Sequence, residues 1–309
     1  MPDQPVTRRL RLNRALDLPR TLGLLRRGSG DPTMRIGPDA LWRAFRTPAG
    51  VATLALSVDA DLLLARAWGQ GAQWLLDSVP QLIGDSDDWA DLDVSKSPAL
   101  AAVRKQLPGL RLCRTGLVLD SLIPAILEQR VTGGEAWRAW RMLVRAYGEP
   151  APGPSSLRLW VAPDPAQLLA VPSWDWHRYG VDAQRSRTIR AAATVASRLE
   201  DCAELSAAGD FGAAERSLRV VPGVGEWTAA ETTLRALGHP DAVSVGDFHL
   251  KNRVGFALTG AARTDDETML ALLEPWRGQR ARVVRLIELS GLTPPKYGPR
   301  FSPNDIRVI

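Results

Sequence analysis

One carboxylate and one tight turn hold most of the chemistry this sequence could do. Asp247 stands in D-A-V-S-V-G-D-F-H-L-K-N-R-V (241–254), just ahead of a helical stretch. There its carboxylate can accept from free N–H groups, and those bonds and the helix dipole favour the ionised form. Most aspartates so placed cap a helix and do nothing else. Upstream, residues 220–230 read V-V-P-G-V-G-E-W-T-A-A. Gly223 and Gly225 follow Pro222 at alternate positions between two helical runs, and backbone N–H groups can point outward together from such a turn. Glycine permits positive φ and the close approach of another backbone. Free amides at the start of the helix near Glu226 suit an anion such as phosphate. A plain helix corner can use the same residues.

The bulk of the chain bounds its partners. Its 309 residues are enough for about two domains. No apolar run approaches the ~18 residues of a membrane helix. The basic N-terminus lacks the apolar centre of a secretory signal. Cys113 and Cys202 are too few for a disulfide framework, a four-cysteine zinc site or an iron–sulfur cluster. His177, His239 and His249 are too scattered for a metal site. A cytoplasmic protein is expected. Lys and Arg total 39 against 34 acidic residues, a net charge of +5. The excess gathers at the ends: Arg8, Arg9, Arg11, Arg14, Arg20, Arg26 and Arg27, then Arg277, Arg280, Arg282, Arg285, Lys296, Arg300 and Arg307. Such clusters suit a polyanion, or equally a solvated surface.

The elements that must position these groups change character along the chain. Residues 9–12, 34–36, 41–46 and 51–58 read as strands, the last two joined across Thr47-Pro48-Ala49-Gly50. Residues 18–27 read as a helix ended by Gly28. The spacing of Leu64, Trp68, Ala72, Leu75 and Val79 predicts a long amphipathic helix over 61–82, interrupted by Gly69 and Gly71. The acidic run 84–93 marks a boundary or an exposed loop. From Pro98 the strands are expected to stop, with helices at 119–129, 135–147, 165–169, 183–199, 211–220, 226–237, 248–258, 266–272 and 279–289. Residues 150–156 (P-A-P-G-P-S-S) read as the clearest hinge. The fold class is α+β: an N-terminal α/β domain (1–95), a helical domain (96–292) and a tail (293–309). Trp137, Trp140, Trp160, Trp174 and Trp176 are expected to pack in the core or anchor loops.

The hairpin resembles the helix–hairpin–helix signature, L-P-G-V/I-G-x-x-T-A, of the base-excision DNA glycosylases, with Thr228 and Ala229 completing the match. The resemblance implies that the loop of Pro222, Gly223, Val224, Gly225 and Thr228 grips a DNA phosphate. It also implies that the backbone carbonyls of Arg219, Val221 and Val224 hold a Na⁺ or K⁺ ion. The family's essential aspartate stands where Asp247 does. D-F-H-L-K-N-R-V is most similar to the alkylation-repair, AlkA-type (3-methyladenine) subfamily, with Lys251 and Arg253 at matching offsets. Residues 108–112, 125–132, 185–193 and 275–280 also resemble family segments. The N-terminal region is similar, more weakly, to the family's TATA-binding-protein-like α/β domain. In all the likeness spans about residues 8–291.

The resemblance further implies a monofunctional enzyme that flips a damaged, alkylated base out of duplex DNA and hydrolyses its N-glycosidic bond. An ionised carboxylate suits the oxocarbenium-like sugar of that reaction. Bifunctional members carry a Schiff-base lysine two residues after the second hairpin glycine. Trp227 stands there, and an indole cannot form the imine. Trp227 is expected to face the cleft and stack on an electron-poor base. At the wedge after Gln129, often apolar in the family, stands Arg130. Glu231 and Arg285 fall at pocket positions that are aromatic in AlkA-type enzymes, and are expected to pair across the pocket. No cofactor besides the hairpin ion is implied, and a monomer acting at the bacterial nucleoid is expected. A non-catalytic DNA-binding module and a helical protein scaffold are the alternatives. The aspartate at its motif position argues against the first, and nothing specific favours the second.

Overall fold

The computed structural model describes residues 4–295. Most of the 293–309 tail, with Lys296, Arg300 and Arg307, lies outside them. The N-terminal part is a five-stranded antiparallel sheet in the order β1 (Val6–Arg11), β5 (Leu62–Gly69), β4 (Gly50–Asp59), β3 (Leu41–Thr47), β2 (Met34–Ile36). A short helix, α1 (Leu18–Leu22), lies between β1 and β2, and α2 (Ala72–Leu82) follows β5. Leu41 and Phe45 of β3, Leu54 and Leu56 of β4 and Ala65 and Ala67 of β5 are buried in one core with Leu75, Leu76 and Val79 of α2. That burial is the main force fixing the register.

The long helix expected over 61–82 is a strand followed by a helix. Leu63, Ala65 and Ala67 are buried at a period of two and pair with β4 and β1. Their alternation is the strand signal, and the helical spacing is real only beyond Gly71. Gly69 forces the break. Its φ is +94°, and a Cβ there would lie 2.4 Å from the Val51 carbonyl. The helix expected over 18–27 is likewise short, tightening to a 3₁₀ turn over Gly23–Leu25.

The rest is helical: α3 (Pro98–Gln106), α4 (Val118–Leu127), α5 (Gly133–Tyr147), α6 (Pro165–Ala170), α7 (Ser173–Arg178), α8 (Ala183–Thr194), α9 (Ala196–Glu200), α10 (Cys202–Ala207), α11 (Phe211–Arg219), α12 (Glu226–Ala236), α13 (Leu250–Thr259), α14 (Asp266–Leu273) and α15 (Arg280–Leu289). Strands do not stop at Pro98, because β6 (Glu149–Pro150) pairs with β7 (Trp160–Val161). Residues 150–156 are therefore no hinge. They form the loop of this ribbon, and Leu159 and Val161 bury with Ala44 of β3. The helix expected over 183–199 breaks at Val195 (φ −110°, ψ 19°). The turn brings Glu200 to the start of α4, where it accepts the N–H groups of Val118 (2.8 Å) and Leu119 (2.9 Å).

Three contacts link the N-terminal region to the helices. The 84–93 segment is not merely an exposed loop: Asp87, its side chain 8% exposed, pairs with Arg282 of α15, and Leu92 shares a core with α13–α15. Arg43 of β3 pairs with Asp120 of α4, both nearly buried. Among the tryptophans, Trp140 and Trp176 are core, whereas Trp174 is 72% exposed and Trp137 lies half out of the surface over Gly28. Among the described residues no helix is long and apolar enough to cross a membrane.

Candidate active site and nucleic-acid interface

Asp247 sits between α12 and α13, half-buried, in the capping place its position predicts. Its Oδ1 accepts the N–H groups of His249 (2.7 Å) and Leu250 (2.8 Å), at the first turn of α13. Its Oδ2 accepts the indole N–H of Trp227 at 3.3 Å. Both oxygens thus have N–H donors. Trp227 is half-buried beside the aspartate, so it serves as a strut to the carboxylate besides any stacking role. The preceding Gly246 donates its N–H to Asp266 (3.0 Å), which also pairs with Lys251 (2.9 Å).

The hairpin between α11 and α12 is closed by Val221 N–H to the Leu218 carbonyl (3.2 Å) and Val224 N–H to the Val221 carbonyl (3.0 Å). Val221 and Val224 are buried, while Pro222, Gly223 and Gly225 are exposed. Only one of the two glycines needs positive φ. Gly223 has φ +90°, and a Cβ there would meet Thr188 Oγ1 at 2.0 Å. Gly225 is extended (φ −97°, ψ −172°) with open space where a Cβ would stand, so its use is to leave room outside. It is the N-cap of α12 without any side-chain cap, which leaves the first amides of that helix unsatisfied. The carbonyls of Arg219 and Val224 accept no backbone N–H outside the helices, while that of Val221 takes Val224.

Gln129 is expected to touch DNA, yet its side-chain amide is engaged at home, donating to the Gly223 carbonyl (3.0 Å) and Thr228 Oγ1 (2.8 Å). It joins the end of α4 to the hairpin. Arg130 follows, exposed, with φ +55°, one of three non-glycine residues in the left-handed region among those described. Such a conformation costs about 1–3 kcal/mol and persists only where the surroundings fix it.

The expected pair of Glu231 with Arg285 is not formed. Arg285 pairs with Glu288 of its own helix at 2.5 Å. Glu231 pairs with Arg235, one turn along α12, at 2.7 Å, and accepts the Ser244 hydroxyl at 2.5 Å. Burial alone would raise the Glu231 carboxyl, but Arg235, the Ser244 hydroxyl and Arg27 together hold it below its ordinary value. A salt bridge one helical turn away is reached without crossing a cavity, and that decides the partner. The terminal arginine clusters are also largely paired within the molecule: Arg11 with Asp61, Arg20 with Asp17, Arg27 with Glu128, Arg277 with Glu274, Arg280 with Asp241 and Arg282 with Asp87. Arg11, Arg20 and Arg277 stay more than half exposed in these pairs.

Sequence reasoning passes over Ser244, Arg235, Thr188 and Asp266. The i,i+4 spacing of Glu231 and Arg235 is a readable signal for one of them. It also passes over two large apolar side chains next to the motifs, Val220 (77% exposed) and Phe248 (73%). Among the described residues no three His, Cys, Asp or Glu side chains converge to hold a metal.

No family model matches the chain. It is 31% identical over 202 residues to the "probable bifunctional transcriptional activator/DNA repair enzyme AlkA" of Mycobacterium tuberculosis, an alignment covering 65% of this chain and 38% of the relative. The chain thus spans well under half the length of that protein. It is 22% identical to the DNA-3-methyladenine glycosylase of Bacillus subtilis, covering 66% of this chain and 69% of the relative. Among solved structures, the 3-methyladenine DNA glycosylase of Archaeoglobus fulgidus superposes with a TM-score of 0.76 at 14% identity, over 92% of this chain and 98% of that one. The names of these relatives agree with the resemblance the hairpin motif carries, and the α+β fold is shared with the solved structure over 92% of this chain.

Proposed function

We propose that the chain is a monofunctional DNA glycosylase that hydrolyses the N-glycosidic bond of a damaged, alkylated base in duplex DNA. The observation that carries this reading is the neighbourhood of two sites at the head of α12. One is an open hairpin with uncapped amides, and the other is a carboxylate held by three N–H donors. The names of both curated relatives point the same way.

The hairpin amides take a backbone phosphate beside the lesion, a contact that positions the duplex without reading its sequence. The Gly225 face leaves room for it. Three carbonyl oxygens at one bend, those of Arg219, Val221 and Val224, suit a Na⁺ or K⁺ ion, which would add positive charge on the phosphate side. Arg130, fixed outward in its left-handed conformation, enters the stack that the flipped base leaves, where a flat guanidinium can stack and hydrogen-bond.

The C1′–N bond then breaks with its electron pair leaving on the base. The sugar becomes cation-like, and the Asp247 carboxylate stabilises it. A water oxygen bonds to C1′, and Asp247 orients that water and accepts its proton. Two observations speak against a covalent amine route: Trp227 occupies the lysine position, and Lys251 is paired with Asp266.

The test is to incubate the full chain with duplexes carrying 3-methyladenine or 7-methylguanine and to measure free base and strand cleavage. Released base, an intact abasic strand and no borohydride-trapped adduct are expected. No release from any alkylated duplex rejects the reading, and a trapped adduct rejects its monofunctional part.

A further inference from the structure

The loop that carries Asp247 is tied to α12 at two places, one helical turn apart. At the first, the Trp227 indole meets the carboxylate itself. At the second, Ser244 Oγ donates to Glu231 Oε1 at 2.5 Å, and the Ser244 carbonyl accepts the Asp247 N–H at 3.1 Å. Ser244 is buried and lies three residues before Asp247. Glu231 is in turn fixed from behind. Its Oε2 takes Arg235 Nη1 at 2.7 Å, and Arg235 Nε donates to the Leu24 carbonyl of the N-terminal part at 3.1 Å. A continuous polar chain thus runs from Leu24 through Arg235, Glu231 and Ser244 to the backbone of Asp247.

We propose that Glu231 and Ser244 are positioning residues for Asp247, holding its loop against α12 so that the carboxylate meets C1′ in one orientation, and that Glu231 does not touch the base. This rests on the function proposed above. Three features favour it over a pocket contact for Glu231. Both its oxygens are engaged, its side chain is only 15% exposed, and its shortest bond goes to the loop. The other anchors of the loop act at its ends: Arg280 grips Asp241, and Asp266 takes the Gly246 N–H. Among the described residues, Ser244 makes the one side-chain hydrogen bond from the middle of the loop to α12, beside the apolar cluster of Ala242 with Ala230 and Leu234. A displacement of the order of 1 Å at a reacting group is enough to slow chemistry strongly.

The test uses single-turnover base excision by the full chain on several alkylated duplexes, with Ser244→Ala, Glu231→Gln and the double variant. Loss of one hydrogen bond to a charged group predicts excision slowed about tenfold. The factor should be the same for every lesion, with affinity for undamaged duplex within about twofold of wild type. Because Ser244→Ala removes the contact that Glu231→Gln weakens by taking away its charge, the double variant should be no slower than the slower single. A reordered lesion preference overturns the proposal in favour of a base contact. Additive losses, or wild-type rates in Ser244→Ala, overturn it outright. If Glu231→Gln fails to fold because Arg235 is left unpaired, Ser244→Ala decides alone, since it keeps the ion pair. Asp247→Asn runs alongside. Excision by that variant rejects the catalytic role of Asp247 on which the proposal rests, whereas an inert Asp247→Asn with a fast Ser244→Ala rejects only the positioning role.

Discussion

The hairpin and the carboxylate loop meet at the head of α12 and are built in opposite ways. In the hairpin the donors are left open: Gly225 caps α12 with no side chain, and nothing fills the space beside it. In the loop the side chains nearest the chemistry are engaged. Both Asp247 oxygens accept N–H groups, Gly246 donates to Asp266, and Ser244 donates to Glu231. A surface that must meet a partner's charge keeps its amides unsatisfied until the partner arrives. A group that must react in one orientation is over-determined in advance.

Substitutions can break this contrast on either side. The largest effect belongs to Asp247→Asn, which keeps the capping geometry but removes the charge. Excision should fall by a factor on the order of 10²–10³ or more, with duplex binding nearly unchanged by fluorescence anisotropy. Next comes Gly223→Ala, which acts on the scaffold. Its φ of +90° and the 2.0 Å approach to Thr188 Oγ1 should cost about 1–3 kcal/mol of stability, read as a lower Tm in calorimetry. Gly225→Asp is the instructive partner, because a side chain fits there without strain. It should fold normally and bind every duplex about tenfold more weakly or worse, the negative charge facing the phosphate. Trp227→Phe keeps a ring but loses the N–H to Asp247. Excision should slow about tenfold at unchanged affinity.

The smallest effect is on stability against pH, at the base of the hairpin. His239 stacks on Phe211 of α11 at 4.4 Å, and its Nδ1 accepts the Asp241 N–H, so the ring is neutral. Burial depresses its pKa from 6.5 to about 4. The unfolded chain therefore binds the proton first. The contribution of His239 is fully present above about pH 6.5 and is lost as pH falls toward about 4. Denaturation midpoints for the wild type should drop across that window, and His239→Gln should flatten the drop. An unchanged pH profile in the variant would assign the loss to other groups.

Much of this contrast is legible in the sequence, for a physical reason. The hairpin and Asp247 depend on local backbone geometry, which Pro-Gly-x-Gly and a helix-initiating aspartate declare within a few residues. The strand pair of β3 and β4 is legible for the same reason, through its turn at 47–50. The features that stay hidden depend on contacts between distant segments. β5 reads as helix because Leu64, Trp68 and Ala72 imitate a helical period across Gly69. The 150–156 loop reads as a hinge because its composition cannot show that it closes a ribbon docked on β3. Arg285 invites a partner across a cavity, although Glu288 lies one turn away. Arg11, Arg27, Arg280 and Arg282 count as free charge in the sequence because their carboxylates lie far along the chain, as Asp87 does from Arg282.

The proposed function divides binding and chemistry between the hairpin and Asp247. That division is tested most directly by single-turnover excision at saturating protein, measured for Asp247→Asn and Gly225→Asp on one alkylated duplex. It predicts that Asp247→Asn binds the duplex and releases no base, while Gly225→Asp, once saturated, releases it near the wild-type rate. Base release by Asp247→Asn, or equal loss of rate in both variants at saturation, would contradict it.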